Sequence, residues 1–269
     1  MHFFDAHCHL QDARLTPHLD AVMMRASQVG VTGFMCCGSS EADWTLLPKL
    51  AGRFPGIQLS FGLHPWYTGE RSAGWLDILR RQLSDTPSAV GEIGLDRALD
   101  PATFAEQEEV FLAQIHLADE LKRPVSIHCR RAWGRLMELL DVKGWPAGGF
   151  VLHSYSGSTE LIAPLVRRGA FFSFSGAITF EHNRRGREAA AAVPLDRLLI
   201  ETDAPDLMPA LPPDAPILRE SDGNPLSEPA FLVRVLETLA DLRSAGRDTI
   251  ATATYGNART LFQPQTAGP

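Results

Sequence analysis

The sequence predicts a single α/β domain over residues 1–269, built as a (β/α)8 barrel of the TIM type, and three observations carry that prediction. Short apolar runs alternate with helical patterns eight times, the mark of a parallel sheet whose strands are joined by helical crossovers. The chain has 269 residues, and a barrel of this kind takes about 250. Residues able to bind a cation or move a proton recur at the C-terminal ends of the runs, where such barrels place their working side chains.

The first run, near residues 2–6, leads into Asp5-Ala6-His7-Cys8-His9. Side chains alternate along a strand, so His7 and His9 share a face with Asp5 while Cys8 points away. A helical pattern over 13–29 leads to the second run at 31–37, and one over 41–52 leads to the third at 57–63, followed by His64 on the lumen side. After a helix near 73–84, the fourth run at 88–93 carries Glu92 among apolar neighbours. A carboxylate there is costly unless a cation or a salt bridge compensates it. A helix over 103–121 precedes the fifth run at 124–128, which ends in His128, and Arg130 returns to the same face. Helices near 131–141, 158–168 and 185–192 alternate with runs at 149–153, 171–175 and 197–202. The sixth run ends at His153 and the eighth leads into Glu201-Thr202-Asp203. The Pro-rich stretch from Pro205 to Pro229 follows on the same rim, and loops of that length are often functional. Two helices near 228–242 and 246–262 close the chain.

Each rim residue taken alone has a structural alternative. A strand-end histidine is commonly just hydrogen-bonded, Asp203 can cap the turn before Pro205, and Arg130 can sit in a surface ion pair. Jointly, His7, His9, Glu92, His128, His153 and Asp203 make a mixed nitrogen and oxygen donor set. It suits Zn, Mn, Ni or Fe, and Mg where carboxylates dominate. One catalytic zinc usually takes three protein ligands and leaves a position open. Six donors are better used by two cations bridged through Glu92, a pairing that can clamp both oxygens of a phosphate ester during displacement. Glu201 has the parity of Asp203 but lies deeper and reads as a supporting charge. Cys8 and Cys129 have the wrong parity and read as packing residues.

Composition narrows the field further. The formal net charge of −7 argues against coating nucleic acid through a broad basic surface, but not against gripping one strand end beside bound cations. Cys8, Cys36, Cys37 and Cys129 do not form a disulfide framework or a C-x-x-C pair, which suits a reducing compartment. The N-terminal stretch lacks the layout of a signal peptide, and no apolar run approaches the ~18 residues of a membrane span. A cytoplasmic location without membrane attachment is the expectation.

The segments Phe4-Asp5-Ala6-His7-Cys8-His9-Leu10, Gly62-Leu63-His64-Pro65, Val90-Gly91-Glu92-Ile93-Gly94-Leu95-Asp96, Ile127-His128-Cys129-Arg130, His153-Ser154-Tyr155-Ser156-Gly157-Ser158 and Leu199-Ile200-Glu201-Thr202-Asp203-Ala204-Pro205 together resemble the TatD-like family of metal-dependent hydrolases and deoxyribonucleases. Asn257 with Leu261-Phe262 resembles the family's closing motif. The resemblance implies a (β/α)8 barrel with up to two divalent ions, Mg, Mn or Zn. Carried over by position, His7, His9 and Asp203 are ligands of one ion, His128 and His153 of the other, and Glu92 is the bridge. Glu92 and Asp203 are then the catalytic carboxylates, and His64 and Arg130 contact substrate. A guanidinium at Arg130 suits a phosphate. The chain departs from the family where Arg97-Ala98 follows Asp96, where Asp206 follows Pro205, and where Asn224-Pro225 is separated from Glu228-Pro229. These positions bear on substrate selection.

The function expected is hydrolysis of phosphodiester bonds at single-stranded DNA ends by a two-metal mechanism, with no obligate protein partner. A small-molecule amidohydrolase, lactonase or phosphotriesterase, with a small phosphate ester among its substrates, is the alternative. Barrels of that kind often bridge their cations with a modified lysine, and here Lys49, Lys122 and Lys143 all lie outside the strand ends. A barrel kept only for binding would show a lost ligand, whereas all six positions are filled.

Overall fold

Eight parallel strands follow one another around one sheet in chain order: β1 (Phe3–Cys8), β2 (Val31–Cys37), β3 (Ile57–Phe61), β4 (Ala89–Asp96), β5 (Val125–Arg130), β6 (Phe150–Leu152), β7 (Ala170–Phe174) and β8 (Leu198–Ile200). This computed structural model describes residues 1–213 and 215–262. Asp214, inside the expected long loop, and residues 263–269, the end of the expected domain, lie outside the described residues.

The ring is drawn together just past β8. Asp203 N donates to His7 O at 2.9 Å and His9 N to Ala204 O at 2.7 Å. The buried Asp5 carboxyl accepts the Thr202 N–H at 2.9 Å and its hydroxyl at 2.5 Å, and burial pushes its pKa up to about 8. The expected (β/α)8 barrel is therefore the observed architecture, with its seam stitched by the same residues that lead into the rim.

The connecting helices are α1 (Leu19–Gln28), α2 (Glu41–Trp44), α3 (Leu47–Arg53), α4 (Trp75–Asp85), α5 (Phe104–Glu120), α6 (Trp133–Lys143), α7 (Ile162–Val166), α8 (Arg184–Ala192), α9 (Leu232–Leu242) and α10 (Arg247–Phe262). Most lie within a few residues of their expected spans. The helix expected over 41–52 is instead broken into α2 and α3. Pro48 stands in the first turn of α3, where it has no N–H to give and its ring would clash with the carbonyl four residues back. The helix expected from residue 13 begins later, because Asp12 accepts the Arg14 backbone N–H and its guanidinium and holds a turn there. The Pro205 to Pro229 stretch contains a small antiparallel pair, β9 (Leu218–Arg219) with β10 (Pro225–Leu226).

Strand β4 runs three residues past its expected end at 93, and this extension shapes the rim. Gly94 pairs with His128 and Asp96 with Arg130. At Gly94 φ is +156°, and a Cβ would stand 1.9 Å from the His128 carbonyl oxygen. Only glycine lets the two backbones approach so closely.

Two apolar clusters hold the barrel. The larger lies between the strands and the surrounding helices. The smaller takes Phe4, Met35, Val151, Phe171 and Leu199 from five strands together with Phe262 from α10, and is the filling of the barrel interior beneath the rim. All four cysteines are buried free thiols. Among the described residues no helix is long and apolar enough to cross a membrane.

Candidate metal centre

The rim residues converge on one carboxylate. Glu92 is buried in β4, and its two oxygens face different histidines. Oε2 lies 3.2 Å from His7 Nε2 and 3.4 Å from His9 Nε2. Oε1 lies 2.7 Å from His153 Nε2, 3.1 Å from His128 Nδ1 and 3.3 Å from His64 Nε2. Asp203 completes the β1 side, with Oδ1 3.4 Å from His9 Nε2 and 3.7 Å from His7 Nε2. The His7 and His153 rings are stacked with centroids 4.0 Å apart, so the two halves touch through these imidazoles.

Four of the five histidines turn their outer nitrogen to an oxygen of a neighbouring residue, which points the inner one toward Glu92. His9 Nδ1–H donates to Cys37 O at 2.8 Å. His7 Nδ1 meets the Ser126 hydroxyl at 3.1 Å. His128 Nε2–H is directed at Asp96 Oδ2 at 3.3 Å, and His153 Nδ1–H at Glu201 Oε1 at 3.4 Å. Such outer partners fix tautomer and ring orientation at metal sites. Glu201, fully buried, also accepts Ser154 N–H at 2.8 Å, Ser154 Oγ–H at 2.7 Å and the Ser173 hydroxyl.

His64 differs. Its Nδ1 accepts the Trp66 backbone N–H at 3.1 Å, so the neutral ring carries its proton on Nε2 and donates toward Glu92. Burial lowers its pKa to about 4, which keeps that neutral donor form. Donor atoms within 4.8 Å of one another fall into three sets: His7, His9 and Glu92; His7, His153 and Asp203; and His64, Glu92 and His128. A ring whose free nitrogen bears a proton cannot ligate through it, so the tautomer removes His64 from the last set.

The electrostatics fit a cation-binding centre. Burial opposes ionisation of Glu92, yet neighbouring His153, His64 and His7 outweigh it and hold the carboxyl well below the usual range. Burial likewise opposes charging of His9, but Asp203 and Glu92 override it and keep its pKa well above the imidazole value. His153 is raised in the same way by Glu92 and Glu201. His7 is lowered by burial and by His153. These protons stand in for positive charge around a buried acid, and the four imidazoles and two carboxylates are a donor set that fits divalent cations.

Backbone strain gathers at the same rim. Arg131, Ser154 and Asp203 have φ of 56°, 41° and 55°, a left-handed region uncommon for residues other than glycine and often found at functional sites. All lie just past strand ends. The centre floors a cavity of about 860 Å³ bordered by Trp66, Arg130, Arg185 and Leu207, among others. Arg130 is exposed at its edge, and no ion pair engages its side chain among the described residues.

The eight residues expected at the site thus lie together. Sequence reasoning gave no role to Asp96 or Ser126. For Asp96 a signal was present, since residues 92, 94 and 96 share strand parity. For Ser126 nothing local distinguishes it.

Residues 4–263 match the family model described as TatD related DNase. A relative named 3'-5' ssDNA/RNA exonuclease TatD, from Salmonella typhimurium (strain LT2), is 35% identical over 265 residues, covering 97% of this chain and 98% of its own. An uncharacterized metal-dependent hydrolase, YabD of Bacillus subtilis (strain 168), is 30% identical over 263 residues, covering 97% and 98%. Among solved structures, the TatD homolog YJJV from Escherichia coli k12 superposes with a TM-score of 0.88 at 30% identity, covering 97% of this chain and 98% of that one. This chain belongs to the TatD-related DNase family and is a metal-dependent hydrolase.

Proposed function

We propose that this chain is an exonuclease that trims single-stranded nucleic-acid ends from the 3' side, with its centre holding two divalent cations in a single domain over residues 1–269. The observation that carries the reading is the division of Glu92 between two pairs of histidines, with Oε2 facing His7 and His9 while Oε1 faces His128 and His153. The relatives named as 3'-5' ssDNA/RNA exonucleases support the polarity and the substrate.

His7, His9 and Asp203 would hold one cation, His128 and His153 the other, and Glu92 would share its oxygens between them. Mg, Mn or Zn in these positions would polarise a phosphoryl oxygen and lower the pKa of a water molecule. The protein's own groups do the rest. Asp203, with a side chain 14% exposed, is open to the cavity and accepts the proton released by the attacking water. His64 Nε2–H, which points at Glu92 Oε1, would turn to the phosphate, and the Arg130 guanidinium would neutralise it from the rim. A centre at the floor of a cavity of about 860 Å³ suits a strand end better than a duplex flank.

The test compares an end-labelled linear oligonucleotide with a covalently closed single-stranded circle of the same sequence, with saturating Mg or Mn. Laddering of the linear strand beside an intact circle is expected. Equal cleavage of the circle rejects end-dependence. Hydrolysis of a small ester with neither strand cut rejects the nuclease reading.

A further inference from the structure

We propose that Trp66 is a stacking platform for a nucleobase flanking the cleaved phosphodiester, so that the site selects nucleotide ends over phosphate esters that carry no base. The inference rests on the nuclease reading above and adds the element that recognises the base.

Eight large hydrophobic side chains are exposed among the described residues, and three of them, Leu46, Trp66 and Leu207, line the one cavity that contains Glu92. Trp66 is the aromatic one of the three and is 54% exposed. An indole left in water beside a polar centre forfeits apolar burial unless something covers it.

This indole is also held in place. Its Nε1–H donates to Asp96 Oδ2 at 2.9 Å, and its backbone N–H is bonded to His64 Nδ1. Asp96 is fully buried, and its other oxygen accepts Ala98 N–H at 2.8 Å. Asp96 Oδ2 also faces His128 Nε2. The ring is therefore tied to the same carboxylate that orients a residue of the centre, and its exposed face cannot turn away without breaking that bond. A rigid aromatic loses little freedom on binding, which suits it to act as a platform.

Its position matches a base next to the reacting phosphate. The Trp66 and His64 rings meet edge to face with centroids 5.2 Å apart, and His64 Nε2 is 3.3 Å from Glu92 Oε1. One imidazole separates the indole from the carboxylate at the middle of the centre. Arg130 and Arg185 border the same cavity, and neither guanidinium is engaged in an ion pair among the described residues. An apolar plate with guanidinium groups nearby is what a nucleotide presents surfaces for, base against ring and phosphate against guanidinium. Stacking of this kind tolerates any base, because every base has a π-face.

The experiment uses the metal-loaded protein and two oligonucleotides of one sequence, one with natural nucleotides at the 3' end and one whose last two nucleotides are abasic. KM and kcat are measured for wild type, Trp66→Phe and Trp66→Ala, with bound metal determined for each. Wild type is expected to show a KM lower by about tenfold for the base-bearing end. W66F keeps part of that preference, because an aromatic face remains although the bond that holds it to Asp96 is lost, and W66A brings the two KM values together. A wild type without preference, or a W66A variant that retains it, overturns the proposal. Complete loss of preference in W66F as in W66A also overturns it, since the remaining aromatic face would then contribute no stacking. Should wild type cut neither strand, the nuclease reading itself fails, which differs from cutting both strands equally.

Discussion

His64 accepts the Trp66 backbone N–H at Nδ1, 3.1 Å away, and thereby aims Nε2–H at Glu92 Oε1, 3.3 Å away. One backbone hydrogen bond separates this histidine from the four whose inner nitrogens are available to a cation. His64→Ala should therefore keep its bound metal while losing turnover. Removing one preorganised donor from a site where charge develops costs about 10²-fold or more in kcat. Elemental analysis alongside kinetics decides the matter, and a variant stripped of metal would make His64 a ligand after all.

Glu201 should behave in the opposite way. It has no direct line to Glu92 but takes the outer N–H of His153 and three further donors from Ser154 and Ser173. Glu201→Gln is expected to weaken metal affinity by roughly 10–100-fold, the usual effect of disturbing such an outer partner. Activity should return substantially at saturating metal. Metal titration of turnover distinguishes this from a catalytic loss, which excess metal would not repair.

The barrel was legible in the sequence because strand and helix periods differ and alternate cleanly here, and the candidate site was legible because residue types able to bind a cation stand at the ends of separate runs. What stayed hidden depended on contacts across the fold. The extension of β4 to Asp96 follows from Gly94 meeting the backbone of His128, and the role of Asp96 follows from that register. Pro48 was visible, yet whether the helix pattern around it would continue or break was not decided by the period alone. The tautomer of His64 depends on a turn at Pro65 that brings Trp66 N within reach. Glu228 read as a displaced piece of a loop motif, whereas the fold pairs it with Arg25, 203 residues away.

Chelation should abolish activity and divalent metal should restore it. The pH dependence follows from the same groups. With His9 and His153 raised above the imidazole value by the carboxylates around them, a cation entering the centre displaces protons. Metal affinity should then fall as pH falls, and binding near neutral pH should release protons. Calorimetry in two buffers of different ionisation enthalpy measures that release directly. Identical heats in both buffers would mean that no proton leaves.

Arg25 and Glu228 form a two-point ion pair, with Nε to Oε1 at 2.7 Å and a terminal nitrogen to Oε2 at 2.5 Å. The Glu228 side chain is 3% exposed, and the pair ties α1 to the end of the long rim loop. Arg25→Ala leaves a buried carboxylate without its partner, and such breaks cost about 3 kcal/mol or more. Equilibrium urea denaturation is the measure. A change within about 0.5 kcal/mol, the range of ordinary surface substitutions, would show that water replaces the guanidinium.

Arg130 stands two residues beyond His128 on β5, exposed at the edge of the cavity. Its guanidinium has no ion pair among the described residues, although exposed arginines elsewhere in the fold, such as Arg53 and Arg80, pair with Asp20 and Glu120. An unpaired, forked cation beside the centre is free to take a phosphate through two parallel hydrogen bonds. Hydrogen bonds to charged groups contribute about 1.5–3 kcal/mol, so Arg130→Ala should raise KM for an oligonucleotide by roughly 10–100-fold. If the contact is equal in ground and transition states, kcat stays nearly constant. Bound metal should be unaffected, because the guanidinium has no lone pair to give. Salt dependence offers a second readout: losing one phosphate contact should reduce the slope of log affinity against log salt by about one. A fall in kcat at unchanged KM would instead place Arg130 on charge that develops during the reaction, and a loss of metal would give it a structural part in orienting His128.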